Sequence, residues 1–135
     1  MIRGASVRAV LRGALLAASL GLAGAGCDDP DGPGGPGVYE VVIESPNGPE
    51  GAAVVQLTGS GIEGARSADA RVFVARVERN TSRVVVVRDE PGELRFQVEV
   101  RDLGAPMLSA VLLQVADGNN ELRGSLAGYR VSLIR

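Results

Sequence analysis

From Leu94 to Arg101 the chain alternates with period two: Leu94, Phe96, Val98 and Val100 are apolar, and Arg95, Gln97, Glu99 and Arg101 are polar. Successive side chains of a strand point to opposite faces, so this segment is predicted to hold one face in a core and one in water. No stretch beyond Gly37 carries a strong apolar stripe at helical spacing. The chain must therefore bury itself sheet against sheet.

Other segments repeat the pattern. Val38 to Glu44 puts Tyr39, Val41 and Ile43 on one face and Glu40 and Glu44 on the other, and Ser45-Pro46-Asn47-Gly48-Pro49 ends it with turn residues. A second strand runs Ala52 to Leu57 and stops at Thr58-Gly59-Ser60-Gly61. Ile62 to Asp69 reads as a loop with at most one short strand. A third strand runs Arg71 to Val77, with Asn80-Thr81 as its turn. Val84-Val85-Val86-Val87 is an unbroken β-branched run, predicted to lie inside a sheet with both faces covered, and Arg83 and Arg88 flank it as gatekeepers. Asp89-Glu90-Pro91-Gly92 reads as a turn into Leu94. Leu108 to Ala116 follows, then a polar turn at Asp117-Gly118-Asn119-Asn120, a single helical turn around Glu121 to Leu126, and a last strand patterned by Tyr129, Val131 and Leu133.

The expectation is all-β: one antiparallel β-sandwich of about seven strands over residues 38–135. The chain has no Trp and no cysteine in this region, so the core rests on aliphatic packing. The strand ending in Ser45-Pro46-Asn47-Gly48, the central Pro91-Gly92-Glu93-Leu94-Arg95-Phe96-Gln97-Val98 and the strand after Asp117-Gly118-Asn119 resemble immunoglobulin-like and cohesin-like modules. That resemblance implies the sandwich fold.

The N-terminal region has a different character. Residues 1–26 read as a signal peptide: Arg3, Arg8 and Arg12 precede an apolar run from Gly13 to Ala25, too short to span a bilayer, which needs about 18 residues or more. Leu22-Ala23-Gly24-Ala25-Gly26-Cys27 resembles the lipobox of bacterial lipoproteins. The resemblance implies that Cys27, the only cysteine, receives a diacylglycerol and becomes the first mature residue. Cleavage after Ala23-Gly24-Ala25 is the alternative, and it would release a soluble periplasmic or secreted protein with a free thiol. Residues 27–37 supply the lipidated cysteine and an Asp/Pro/Gly linker unable to bury apolar surface, predicted to stay disordered. The address is the bacterial cell envelope, with a membrane reached through the N-terminal lipid.

Charge narrows the partners. The whole chain carries −2, and losing three signal arginines makes the remainder more acidic, with no basic cluster of the kind nucleic acid requires. Histidine is absent, and all 14 basic residues are Arg. His-based triads, His-containing zinc sites and lysine nucleophiles are thereby excluded. The glycines form neither a phosphate-binding loop nor a dinucleotide fingerprint.

Carboxylates are what remains. Glu90 with Glu93, and Glu99 with Asp102, flank strands and are expected to be solvated or paired with Arg88, Arg95 and Arg101 rather than to hydrolyse glycosides. Asp117, Asn119 and Glu121 place oxygens at alternate positions of a turn, a spacing able to hold calcium, although Asp-Gly-Asn-Asn is also ordinary turn chemistry. No catalytic residue and no other cofactor is assigned.

The sequence thus points to a non-catalytic module that binds a protein or glycan in the envelope. With two Tyr, two Phe and no Trp, sugar-stacking platforms are scarce, so a protein partner is favoured. A structural spacer or accessory subunit, or a carboxylate-based hydrolase such as a glycosidase, are the alternative readings.

Overall fold

The computed structural model describes residues 34–135; the signal segment, Cys27 and the linker up to Pro33 lie outside the described residues. Eight strands follow in order: β1 (Gly37–Glu44), β2 (Glu50–Thr58), β3 (Ile62–Arg66), β4 (Arg71–Glu78), β5 (Thr81–Gly92), β6 (Leu94–Val100), β7 (Ser109–Ala116) and β8 (Arg130–Ile134). They form two four-stranded antiparallel sheets, sheet A in the order β3-β6-β1-β8 and sheet B in the order β4-β5-β2-β7. The all-β sandwich read from the alternation is what forms, with one strand more than the sequence count. The addition is β3, the short strand left open in Ile62 to Asp69, whose Ile62-Glu63-Gly64-Ala65-Arg66 carries little apolar pattern.

Only β4 and β5 are sequence neighbours within one sheet; every other connection carries the chain across the sandwich. In sheet A β1 lies beside β6 and in sheet B β7 lies beside β2, while β8 extends sheet A beyond β1.

The inward residues of both sheets make the core: Tyr39, Val41 and Ile43 from β1, Leu94, Phe96, Val98 and Val100 from β6, Ala53, Val55 and Leu57 from β2, and Val84 and Val86 from β5. Sheet faces pack about 10 Å apart, which branched aliphatic side chains fill in their preferred strand rotamers. Tyr39 and Phe96 are the two aromatics among the largest buried side chains. The first residues described join this frame: the Leu103 N–H donates to the Gly35 carbonyl at 2.8 Å, and a Cβ at Gly37 would stand 2.1 Å from Leu103 Cδ1.

Three local expectations are corrected. Asp89-Glu90-Pro91-Gly92 does not end the strand; β5 spans it, with Arg88 to Pro91 bulged out opposite Gly51 between the pairs Ala52–Val87 and Glu50–Gly92, and the chain bends into sheet A only at Glu93. Arg88 holds that corner instead of guarding a flank. Its guanidinium donates to the Glu90 carbonyl at 3.0 Å and the Glu93 carbonyl at 3.1 Å and pairs with Asp69.

Glu121 to Leu126 is not helical. The Asp117 carboxylate accepts the N–H groups of Asn119 and Glu121, Asn120 takes φ 64°, and the chain folds back so that Leu122 bridges to Ala116 and the Arg123 N–H reaches the Val115 carbonyl. A side chain that caps its own turn competes with helical hydrogen bonding. The valine run, finally, is covered on one face only: Val84 and Val86 are buried, whereas Val85 and Val87 are half-buried on the outside of sheet B.

Candidate functional site

The outer faces of the two sheets differ in kind. Sheet A turns a ladder of ion pairs to solvent. Arg95 bridges Glu93 and, at 3.6 Å, Glu40; Arg66 lies 3.3 Å from Glu99 and donates to Gln97; Arg101 lies 3.1 Å from Glu63. Each pair is exposed and adds little stability, but together they pair the charges along β3 and β6 with partners within the chain.

Sheet B turns out an apolar surface. Register places Phe73 of β4, Val85 of β5 and Val54 of β2 side by side, with Ala52 and Val87 in the next row and Val111 across from Gln56. Phe73 is 56% exposed, Val111 53% and Leu122 66%. Leu122 stands at the rim of a shallow dip of about 70 Å³ lined by Ala52, Val54, Val85, Gln114 and Ala116. Arg83, Gln56 and Gln114 interrupt this otherwise apolar face.

At one end of the sandwich sits a buried carboxylate. Glu50 is 1% exposed. Its Oε1 accepts from Ser45 Oγ at 2.6 Å and Tyr129 Oη at 2.5 Å, and its Oε2 accepts from Arg123 Nε and Nη2, each at 3.1 Å. Tyr129 Oη in turn accepts from Asn47 Nδ2 at 3.0 Å. Burial pushes the Glu50 carboxyl up, but hydrogen bonds from Ser45, Tyr129 and Arg123 outweigh it and hold the group below its ordinary value of 4.5. A carboxylate with four donors on it stays ionised and has no lone pair free for proton transfer. Glu50 therefore ties the β1–β2 turn to the segment leading into β8.

Period-two reading misses Glu50 for a definite reason. Ala53, Val55 and Leu57 set the inward parity of β2, which turns Glu50 away from the core, and it is buried instead beneath Ser45, Arg123 and Tyr129. The only sequence signal is an acid directly before a strand start in Pro49-Glu50-Gly51.

Asp117, Asn119 and Glu121 share one turn. Asp117 Oδ1 is taken up by the Asn119 N–H at 2.8 Å and the Glu121 N–H at 3.0 Å, and these bonds hold its carboxyl below the usual range. Among the described residues no group of three or more His, Cys, Asp or Glu is placed to hold a metal ion. Of the carboxylates flanking strands, Glu93 and Glu99 are ion-paired, and Asp102 accepts the Gly104 N–H at 2.7 Å.

Two open clefts, of about 370 and 350 Å³, lie beside Arg66, Asp69 and Arg95 and beside Ser45, Glu50 and Glu93. Of the acids that line them, Glu40, Asp69, Glu50 and Glu93 are paired within the chain, and Glu44 is exposed to solvent. No protein-family model matches the chain, and no curated protein matches it.

Proposed function

We propose that this chain is an exported, lipid-anchored, non-catalytic β-sandwich that docks an apolar surface of another envelope protein on the outer face of sheet B. One observation carries the reading: Phe73, Val85, Val54, Val111 and Leu122 make that face apolar while the opposite face is laced with its own ion pairs. Apolar burial supplies most of the drive for protein association, and the polar Arg83, Gln56 and Gln114 within the face offer hydrogen bonds to a partner. The saturated Glu50 and the absence of histidine both suit a binding role rather than catalysis.

The test is recovery of a stoichiometric partner with the full chain from detergent-solubilised envelope, compared between wild type and Phe73→Glu with Leu122→Glu. Both residues are exposed, so the fold is expected to survive within about 1 kcal/mol while the partner is lost. A partner retained in full by the folded double variant overturns the docking face. The anchor is tested separately. Cys27→Ser is expected to move the protein from the membrane fraction to the soluble exported fraction or leave it unprocessed, and unchanged membrane association counts against lipidation.

A further inference from the structure

Strand β4 ends sheet B and pairs with β5 alone, so its other side offers free N–H and C=O groups. It is exposed on both faces. Phe73 points outward at 56% exposure, and Val74, which faces inward opposite the buried Val84, is still 41% exposed. The other edges are better protected: β3 and β8 are five residues each, and β7 is bulged against β2 and bridged at Ala116 by Leu122. Natural sheets guard long edges with charges, prolines or bulges. In β4 these stand at the two ends: Arg71 pairs with Asp89 at the start, and at the far end Arg76 turns in to the Ile62 carbonyl at 3.1 Å and the register slips between Arg76 and Glu78. Val72 to Ala75 carries no guard.

We infer that β4 is a self-association edge, along which two copies of the chain pair antiparallel to join their B sheets into one. Identical edges can pair antiparallel only about a two-fold axis normal to the sheet, which brings residues of like parity face to face. With Val74 on that axis, Phe73 meets the partner copy's Ala75, a large side chain against a small one. Val72 then meets Arg76 and Arg71 meets Val77 of the other copy, so no like charges oppose. Moving the axis to Ala75 sets Arg71 against Arg79, two like charges. The pairing leaves the outer face of sheet B open and does not rest on the docking reading above.

The inference is tested with the full chain in mild detergent. Sedimentation is expected to give a concentration-dependent dimer, and Val74→Lys is expected to weaken it by about tenfold or more without changing the circular dichroism of the monomer. In a Cys27→Ser background, Val74→Cys is expected to cross-link to itself under mild oxidation, since directly opposed strand residues bring their Cβ atoms within about 4.5–5.5 Å. Phe73→Cys alone, whose partner is Ala75, is expected to cross-link poorly. A monomer at every concentration, a dimer indifferent to Val74→Lys, Phe73→Cys cross-linking as well as Val74→Cys, or a different protein seated on β4 each overturns it.

Discussion

Glu50→Ala is expected to cost about 3 kcal/mol of folding stability, and to lower Tm by more than about 10 °C in a domain of this size, measured by thermal and urea unfolding. The loss has two parts. Removing the carboxylate deletes four hydrogen bonds at once, and it leaves the Arg123 guanidinium and two hydroxyls at a site built around a negative charge. Tyr129→Phe removes one of the four donors and is expected to cost about 1 kcal/mol. The sandwich would open first where β8 joins, because Glu50 fastens the segment that leads into that short edge strand.

The same group sets an acid dependence whose sign follows from its environment. The Glu50 carboxyl is lower in the folded chain than its ordinary value, so its contribution is fully present above that value and is lost as pH falls through the folded-state value. Asp69, lowered by its hydrogen bond from Arg88, and Asp117, lowered by the Glu121 and Asn119 N–H groups, act in the same direction. Wild-type stability is therefore expected to fall below about pH 4.5, with the advantage over Glu50→Gln shrinking as pH drops. An advantage that stays constant from neutral pH to pH 3 would contradict an ionised Glu50 at the centre of this network.

Phe96→Ala is expected to be the most damaging core substitution, at about 3–5 kcal/mol, because Phe96 is 1% exposed and lies between the sheets. A domain stable by only about 5–15 kcal/mol loses much of its margin that way, and Phe96→Leu gives the graded variant if the alanine form does not fold. Phe73→Ala is expected to change stability by less than about 1 kcal/mol, since more than half of that ring is already in solvent. Equal costs at the two phenylalanines, measured by urea unfolding, would contradict the assignment of inner and outer faces.

That contrast marks how far the sequence could be read. Alternation around Leu94 to Val100 and Tyr39 to Ile43 identifies inward residues directly, because burial on one face requires period two. It cannot say which face of Val84 to Val87 is inward when both are β-branched, and so the half-exposed Val85 and Val87 were hidden in a run that suggested full burial. Pro91-Gly92 carries turn residues yet continues a strand, since tertiary pairing with Glu50 and the grip of Arg88 override local propensity. Glu50 itself was invisible, because Arg123 and Tyr129, distant in sequence, bury a position whose parity points away from the core. The apolar docking face needed the topology, as Phe73, Val54, Val111 and Leu122 come from four separate segments.

Photo-cross-linking from single positions of the full chain in its native envelope tests the docking face most directly. Probes at Val111 and Leu122, on the outside of sheet B and away from the β4 edge, are expected to trap one and the same protein, while a probe at Gln97 on the ion-paired face of sheet A is expected to trap none. Equal adducts from both faces, or adducts from Gln97 alone, would contradict the proposal that sheet B is where this sandwich meets its partner.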